Sequence, residues 1–315
     1  MLLLSRADVE RLLTPEACIA AVEDAFSQLA LGGVPAPGIL GQHAAEGSFH
    51  VKAGFLTADR PYFAAKINAN FPHNGPRHGL PTIQGVVLLF DAANGVPLAV
   101  MDSMSITALR TAAASAVAMK HLARKECETA LICGCGGQAS AQLAAMLAVR
   151  SPSRILAYDQ DPAKAARLGT PVSDLAEAVR SSDIVVTCTT ARRFFITHDM
   201  VRPGTFIAAV GADNEDKQEI DPRLMASATV VTDLTEQASR IGDLHHAVAA
   251  GAMRLDQVHA ELGDVVAGRR RGRASEDEII VFDSTGTGLQ DVAAAIAVYR
   301  RAVDTGGAIS FQLGQ

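Results

Sequence analysis

The most constraining feature of this chain is a glycine-rich segment, Gly134-Cys-Gly136-Gly-Gln138-Ala139, inside a stretch from Thr129 to Val149 that carries no charged side chain. A membrane-spanning helix is disfavoured here, because each glycine lowers helix propensity by about 1 kcal/mol and adjacent glycines favour a turn. A metal site at Cys133 and Cys135 is also disfavoured, because this C-x-C pair has no second Cys or His pair at ligand spacing. A phosphate-binding turn is the interpretation that remains.

The context of the segment supports such a turn, because an apolar strand pattern precedes it and a helical pattern follows. Early glycines allow a tight turn and close backbone approach, and the free amides of the following helix then face a pyrophosphate. Ala139 stands at the third small position of the G-x-G-x-x-G/A fingerprint. The predicted dinucleotide-binding residues here are Gly134, Gly136, Gly137, Gln138 and Ala139.

Asp159 follows the next predicted strand, where a carboxylate accepts hydrogen bonds from the adenosine ribose hydroxyls and repels a 2′-phosphate. It predicts NAD as the cofactor, with NADP left open because Arg192 or Arg193 would favour the phosphorylated form. An ordinary turn aspartate is the alternative for Asp159. Asp161, before Pro162, is predicted to cap the next helix.

Beyond residue 124, short apolar runs alternate with helical patterns, which predicts βαβ units and a parallel sheet covered on both faces. The predicted strands are Thr129–Cys133, Arg154–Tyr158, Asp183–Thr187, Thr205–Val210, Ala228–Thr232 and Glu278–Phe282, with a last helix over Gly288–Val303. The earlier part is α+β in pattern. It shows a helix capped by Thr14, a hairpin of Thr82–Phe90 with Val96–Met101, and an alanine-rich helix over Ser105–Ala123.

Composition narrows the class of protein. The chain of 315 residues has 28 Lys and Arg against 34 Asp and Glu, a net charge of −6, so nothing attracts it generally to nucleic acid or to an anionic membrane. Five cysteines form no disulfide framework, and the N-terminus lacks the basic region of a signal peptide. We expect a cytoplasmic enzyme with no metal.

Two polar residues stand where chemistry is expected. Asp213 follows the strand Thr205–Val210, at the edge where open α/β sheets bind ligands, although it could instead pair with Lys217. Lys66 lies in an otherwise apolar, strand-like segment, where burying an ammonium is costly unless an anion or carbonyl binds it. An ordinary exposed strand lysine is the alternative. Lys52 alternates similarly and gives a weaker signal.

Several longer motifs run through most of the chain. They are Lys66 with Asn70-Phe-Pro-His-Asn74; Gly79-Leu-Pro-Thr82; Leu88-Leu-Phe-Asp91 with Gly95; Ile106-Thr-Ala-Leu-Arg110-Thr-Ala-Ala113; Gly134-Cys-Gly136-Gly-Gln138; Val210-Gly-Ala-Asp213 with Lys217-Gln-Glu219; and Ser284-Thr-Gly286 with Gln290-Asp291. In these motifs the sequence resembles the ornithine cyclodeaminase and mu-crystallin family.

The resemblance implies a homodimer with a Rossmann dinucleotide-binding domain, here 125–286. It also implies an α+β substrate-binding and dimerisation domain, here 1–124, to which 287–315 returns. It assigns the catalytic lysine to Lys66, the catalytic aspartate to Asp213 and the carboxylate-binding arginine to Arg110, an assignment that Arg110's place near a predicted helix start suits. Lys52 and Thr82 join the predicted substrate site, and Thr189, Ser284 and Gly286 join the predicted cofactor site.

The sequence departs from the cyclodeaminase pattern. Where cyclodeaminases have a second arginine it reads Pro35-Ala-Pro-Gly38, and where they have an acidic residue for a distal amine it places His50 or a neighbour. We therefore expect hydride transfer at the α-carbon of a small amino or cyclic imino acid, as in a pyrroline-2-carboxylate reductase or an amino acid dehydrogenase. Ornithine cyclodeaminase proper, a lyase, and a mu-crystallin-like cofactor-binding protein are the alternatives.

Overall fold

The structure, a computed structural model, describes residues 1–313 and divides into two compact units. Among the described residues, unit 1 comprises 1–110 and 287–313, and unit 2 comprises Thr111–Gly286. The boundary predicted after residue 124 lies later, because one helix runs through the division. The domain assignment stays a prediction, and its positions 314 and 315 lie outside the described residues.

Unit 1 has a seven-stranded mixed sheet with helices on one face. Its elements are β1 (Leu2–Leu4), α1 (Arg6–Leu12), α2 (Pro15–Ala30), β2 (Gly38–Ala44), β3 (Gly47–Thr57), β4 (Pro61–Asn70), α3 (Asn74–His78), β5 (Ile83–Asp91), β6 (Pro97–Asp102) and the start of α4 (Ser103–Leu122). The last two elements of the chain, which we number α12 and β17, complete it at Gly288–Thr305 and Ile309–Ser310. The strand order is β17-β1-β6-β5-β4-β3-β2.

Lys66 lies on the face of this sheet that the helices cover. Along β4 the buried residues alternate as Tyr62, Ala64 and Lys66, which is the period of a strand with one covered face. Helix α12 packs across β3, β4 and β5, and α2 packs on α12. Lys66 thus occupies a position in the strand where an apolar side chain would be expected.

Unit 2 contains the rest of α4 and a parallel sheet of eight strands. Its elements are β7 (Thr129–Cys133), α5 (Ala139–Leu147), β8 (Arg154–Tyr158), α6 (Pro162–Ala165), β9 (Thr170–Pro171), α7 (Leu175–Arg180), β10 (Ile184–Thr187), β11 (Arg192–Ile196), β12 (Phe206–Ala209), β13 (Gln218–Ile220), α8 (Pro222–Ser227), β14 (Thr229–Thr232), α9 (Thr235–Ile241), α10 (Asp243–Ala249), β15 (Ala260–Glu261), α11 (Leu262–Val266) and β16 (Ile280–Asp283). The strand order of the parallel sheet is β15-β14-β16-β12-β10-β7-β8-β9. Its core strands are apolar on both faces, as a sheet covered on both sides requires.

Most predicted elements match these bounds. The fold class is confirmed, a Rossmann-like parallel sheet with a mixed-sheet unit, and β7 and β8 have the predicted ends. Thr14 and Asp161 cap α2 and α6 by accepting from Ala17 N and Ala163 N. The short parallel pair β11 and β13 was not predicted. Within residues 1–313, no helix combines the length and apolar character that crossing a bilayer would take.

Candidate functional site

In unit 1, one buried aspartate contacts both the predicted catalytic lysine and the predicted carboxylate-binding arginine. Oδ1 of Asp291 accepts a hydrogen bond from Lys66 Nζ at 2.8 Å, and Arg110 Nε lies 2.9 Å from the same oxygen as an ion pair. Arg110 Nη1 also donates to Gln290 Oε1 at 2.7 Å. Lys66 and Asp291 are only 3% and 1% exposed, so this cluster lies inside the unit.

The first turn of α12 brings Asp291 and Gln290 to the cluster. That turn approaches β3 so closely that a Cβ atom on Gly288 would lie 2.5 Å from the carbonyl oxygen of Ala53. Only glycine permits this distance, so Gly288 sets how deeply the helix start sits on the sheet. Asp291, three residues later, then lies within reach of Lys66 on β4.

Burial and neighbouring charges set the protonation of the cluster. Burial, followed by the Arg110 charge and more weakly by Lys52, lowers the pKa of Lys66 from 10.5 to about 7, against the opposing effect of Asp291. Burial raises the pKa of Asp291, but the charges of Arg110 and Lys66 outweigh it and hold that pKa below its ordinary value. Asp291 is therefore ionised at neutral pH, whereas Lys66 exchanges its proton near pH 7.

Some buried polar atoms in and beside this cluster have no hydrogen-bond partner among the described residues. Within residues 1–313, Asp291 Oδ2 and Gln290 Nε2 are buried without a hydrogen-bond partner, and Arg110 Nε has only its ion-pair contact with Asp291 Oδ1. Also without a partner in this range are Ser103 Oγ and Thr107 Oγ1, which precede Arg110 on one face of α4 at positions i, i+4 and i+7. Buried polar groups are normally hydrogen-bonded, so these groups mark a candidate site for a polar ligand or for ordered water.

The structure also corrects one argument about Arg110. Helix α4 begins at Ser103, so Arg110 lies two turns inside it rather than near its start. The first amides of the helix, those of Met104 and Ser105, donate to Asp102 Oδ1. Helix amides therefore add nothing to anion binding at Arg110, and its partners are Gln290 and Asp291 instead.

The other predicted substrate residues differ in their relation to this cluster. Lys52 pairs directly with Lys66 across β3 and β4, so the two side chains share a face. Thr82 is exposed just before β5, five positions from Val87, the residue opposite Lys66. That spacing is roughly 17 Å along a strand, so the structure does not bring Thr82 to the cluster.

In unit 2, the glycine segment forms a turn at the carboxyl end of β7, beside β10. Gly134 has φ +92°, and a Cβ there would lie 2.8 Å from Thr189 Cγ2 and 2.9 Å from the Cys188 carbonyl oxygen. Cβ positions on Gly136 and Gly137 meet nothing within 4 Å among the described residues. Strand β8 lies on one side of β7 and strand β10 on the other, so the chain changes sides at β7. Such a change is the switch point at which sheets of this kind bind dinucleotides.

The residues flanking the turn fit this function. Gln138 is the N-cap of α5 and Ala139 its first residue, so the helix points its free amides at the turn. Asp159 is half-buried, and its two carboxylate oxygens accept from Cys135 N at 2.7 Å and Asp161 N at 2.9 Å. Asp159 thus fixes the glycine turn, and it also lies at the position predicted to contact the ribose. Each of its two carboxylate oxygens keeps a second lone pair as a hydrogen-bond acceptor.

Glu219 ties together two loops at the same edge of the sheet. Its Oε1 accepts from Thr189 N at 2.7 Å and Thr189 Oγ1 at 2.6 Å, and its Oε2 accepts from Thr187 Oγ1 at 2.6 Å and Gly211 N at 2.8 Å. Thr189 follows β10 and Gly211 follows β12. Sequence analysis noted Glu219 only as part of a motif and missed this function.

The predicted residues after β12 and β16 also lie at this edge. Asp213 is 54% exposed and pairs with Lys217 Nζ at 2.7 Å, the alternative that the sequence left open. Ser284 is buried, and its Oγ has no partner among the described residues. Gly286 donates its amide to Asp233 Oδ2 at 2.6 Å. Because all the strands are parallel, Thr189, Asp213 and the 284–286 segment share the edge of the glycine turn.

Two further carboxylates, Asp243 and Asp283, support these loops from inside. Asp243 Oδ1 accepts from Glu219 N and Ile220 N, and Asp283 accepts from the amides of Asp243 and Leu244. Burial raises the pKa of Glu219, raises that of Asp243 well above its usual range, and raises that of Asp283 to about 7. Residues 1–313 contain no group of three or more His, Cys, Asp or Glu side chains placed to hold a metal ion.

Comparison with known proteins agrees with this geometry. The model of the family described as "Ornithine cyclodeaminase/mu-crystallin family" matches residues 1–306. The alanine dehydrogenase of Archaeoglobus fulgidus is 36% identical over 310 residues, covering 96% of this chain and 95% of its own. The iminosuccinate reductase of Paracoccus denitrificans is 35% identical over 316 residues, covering 97% and 98%.

A solved structure extends the likeness to the backbone. The Thermococcus litoralis Delta(1)-pyrroline-2-carboxylate reductase, in complex with NADH and L-proline, has a TM-score of 0.92 and 34% identity over 99% of this chain and 100% of its own. An archaeal alanine dehydrogenase dimer with bound NAD has a TM-score of 0.93 and 36% identity over 99% of each chain.

Proposed function

We propose that this chain, which belongs to the ornithine cyclodeaminase/mu-crystallin family, is an NAD-dependent oxidoreductase acting on a small α-amino or cyclic α-imino acid. The observation that carries the proposal is the buried cluster of Lys66, Arg110 and Asp291, in which two cations beside unpaired polar atoms suit a small carboxylate ligand. Relatives of the chain include an alanine dehydrogenase, an iminosuccinate reductase and a Delta(1)-pyrroline-2-carboxylate reductase.

Arg110, Lys66 and Lys52 bind and orient the substrate carboxylate. A guanidinium presents fixed donors to a carboxylate, and the two lysines on one sheet face add positive charge beside it. NAD(H), when bound, exchanges a hydride with the substrate α-carbon. Burial of the lysine and arginine excludes water from the carboxylate and strengthens its attraction to them.

Asp213 relays the proton to or from the substrate nitrogen. It is a carboxylate at the edge of the sheet that carries the glycine turn, and Lys217 holds it at 2.7 Å. Glu219 fixes the loop in which Asp213 stands, through the amide of Gly211 two residues before it. We expect Asp213→Ala to abolish turnover and to leave NADH affinity nearly unchanged.

NAD is the proposed coenzyme. Gly136 and Gly137 leave room for a pyrophosphate at the start of α5, and Asp159 presents a carboxylate where a 2′-phosphate would be repelled. Thr189, Ser284 and Gly286, at the same edge, complete the proposed nicotinamide side. Kinetic constants for NADH and NADPH test this choice, since a preference for NADPH would contradict it.

The functional assay separates the proposed class from its relatives. We expect steady NADH oxidation with pyrroline-2-carboxylate, iminosuccinate, or pyruvate plus ammonia. Ornithine with catalytic NAD, followed by proline and ammonia release, is the parallel arm. Release of both products without net change in NADH would replace the reductase with a cyclodeaminase, and tight NADH binding without turnover in either arm would replace it with a binding protein.

A homodimer formed through the open face of the unit 1 sheet is part of the proposal. Phe55, Phe63 and Phe90 stack across three strands on the face opposite Lys66, with ring centroids 4.9 Å and 6.1 Å apart. Phe55 and Val86 on this face remain 41% and 38% exposed. A contiguous apolar sheet face of this kind marks a protein interface.

Light scattering of the purified protein tests the dimer. We expect the mass of two chains for wild type and of one chain for Phe63→Glu, because a buried carboxylate at the centre of the interface has no partner. Leu147→Glu, at an exposed apolar position on α5, is the matched control and should stay dimeric. A monomeric wild type, or a dimeric Phe63→Glu, would contradict the assigned face.

A further inference from the structure

Asp291 holds two cations from different elements with a single oxygen atom. Lys66 from β4 and Arg110 from α4 both contact Oδ1, whereas Oδ2, buried to the same degree, has no partner within residues 1–313. Its neighbour Gln290 takes a further guanidinium hydrogen of Arg110. The first turn of α12 therefore fixes the distance between the ammonium and the guanidinium.

The charges around Lys66 do not balance. Three elements place titratable groups against it: Lys52 on β3, Arg110 on α4 and Asp291 on α12. Cys18 on α2, which also lies near Arg110, stays neutral because burial raises its pKa to about 12. With Lys66 protonated, three cations face one carboxylate, so the unliganded cluster favours the loss of one proton.

An incoming carboxylate reverses this balance. It adds a second negative charge to the cluster, and an opposite charge within about 4–6 Å stabilises the protonated amine. The groups that would receive it are Gln290 Nε2, which is buried without a hydrogen-bond partner among the described residues, and the two cations Lys66 and Arg110 that Asp291 holds.

We infer that Asp291 is a positioning residue that holds Lys66 and Arg110 as a proton-linked carboxylate receptor, in which Lys66 takes up a proton from solvent when the substrate carboxylate binds. The inference rests on the proposed function, because it takes the ligand to be the carboxylate of the proposed substrate. No covalent bond forms or breaks in this step, and bulk water supplies the proton.

Calorimetry on the NADH-bound protein tests the linkage. The probe is pyrrole-2-carboxylate, a planar carboxylate that cannot accept a hydride, titrated in two buffers of different ionisation enthalpy. At pH 8 we expect uptake of most of one proton per site, falling toward zero near pH 6, where Lys66 is already charged. Lys66→Met should remove the uptake at pH 8.

Two negative outcomes separate the inference from the proposed function. Binding of the probe at pH 8 with the same heat in both buffers would overturn the proton linkage and leave the proposed substrate class standing. Absence of probe binding, with NADH still bound, would overturn both. Uptake that persists in Lys66→Met would assign the proton to another group and also overturn the inference.

Asp291→Asn tests the positioning role. Without the negative charge, protonation of Lys66 becomes less favourable, so the midpoint of proton uptake should move to lower pH. Affinity for the probe should fall by about tenfold or more, because a charge-assisted contact is lost on each cation. Asp291→Glu should restore part of the affinity and move the midpoint back toward wild type.

Asp91→Asn is the matched control. Asp91 is another buried carboxylate of the same sheet, which accepts from Arg60 Nη1 at 3.2 Å and from Ala93 N at 2.9 Å. It should lower the thermal midpoint without moving the proton-uptake profile. If Asp291→Asn behaves in the same way, with an unchanged profile, Asp291 is only structural and the inference fails; if Asp291→Asn does not fold, the profile of Asp291→Glu decides.

Discussion

Two buried clusters, one in each unit, hold charged side chains in opposite ways. In unit 1, the ionised Asp291 faces the cations of Lys66 and Arg110, and Asp291 Oδ2 and the adjacent Gln290 Nε2 have no partner among the described residues. In unit 2, Glu219 and Asp283 use both of their oxygens on backbone amides and hydroxyls of the loops around them. The proposal assigns the first cluster to a ligand, whereas the hydrogen bonds of the second cluster hold the polypeptide in place.

The largest expected effect is on turnover, at Lys66. If the unit 1 cluster serves a ligand, Lys66→Ala should lower kcat/KM by about a thousandfold while NADH affinity stays close to wild type. Steady-state kinetics and a fluorescence titration of NADH measure the two effects. Lys125→Ala, at an exposed lysine, is the control and should behave as wild type. Activity within tenfold of wild type in Lys66→Ala would contradict the proposal that the unit 1 cluster binds the substrate.

Glu219→Gln tests whether the hydrogen-bonded carboxylate in unit 2 stabilises the fold. Whichever way the amide is oriented, one backbone amide, of Thr189 or of Gly211, loses its acceptor, so the free energy of unfolding should fall by about 2 to 3 kcal/mol. Activity should fall as well, because both loops carry proposed site residues. Chemical denaturation measures the first effect.

Glu278→Gln is the control for Glu219→Gln. Glu278 also accepts from a threonine hydroxyl, Thr229 Oγ1 at 2.5 Å, and from a backbone amide, Ala274 N at 2.6 Å, but at the amino edge of the sheet. It should lose stability and keep its kcat. A Glu219→Gln variant of unchanged stability but no turnover would place Glu219 with the ligand-binding charges instead.

The pH dependence of stability sharpens the contrast. The pKa of Lys66 is about 7 in the folded protein and 10.5 ordinarily, so between these values the unfolded chain binds more protons. Below pH 7 the whole cost of burying this lysine is therefore subtracted from the free energy of unfolding. That cost decreases as the pH rises from 7 toward 10.5. The free energy of unfolding of wild type relative to Lys66→Met should increase by about 2 kcal/mol between pH 7 and pH 9.

Denaturation of the two proteins in parallel at each pH measures this difference. The subtraction removes groups that titrate alike in both. A difference that stays flat over this range would mean that Lys66 keeps an ordinary pKa in the fold.

The smallest effect is expected at Asp159, which combines both kinds of function. Its oxygens accept from two backbone amides, yet it is half-buried at the predicted ribose position. Asp159→Ala should raise the NADH dissociation constant by about tenfold, through loss of the ribose contact and a looser glycine turn. An unchanged constant for NADH would remove Asp159 from the cofactor site.

The sequence predicted the unit 2 sheet well for a physical reason. Strands buried on both faces are uniformly apolar, so their limits coincide with the limits of hydrophobic runs, as at β7 and β8. The family resemblance, which the comparisons confirm, added the candidate site residues. The pair β11 and β13 escaped prediction because Arg192–Ile196 begins with two exposed arginines and has no clear alternation.

The sequence indicated only one of the two partners in the proposed carboxylate site of unit 1. Lys66 stood out because an ammonium in an apolar strand needs a partner. Asp291, 225 residues away, gave no such signal, since an acidic residue in the first turn of a helix is ordinary. Only the packing of α12 against β3 through Gly288 brings the carboxylate to the lysine, and side-chain periodicity does not say which helix covers which strand.

The origin of Asp291 in α12 has a consequence for biosynthesis. Every residue of unit 2 leaves the ribosome before Asp291 does, so unit 2 has all its own elements while the proposed carboxylate site of unit 1 still lacks Asp291. In that interval Lys66 and Arg110 repel each other across an uncovered sheet. We expect nascent chains to acquire protection against proteases around Lys66 last.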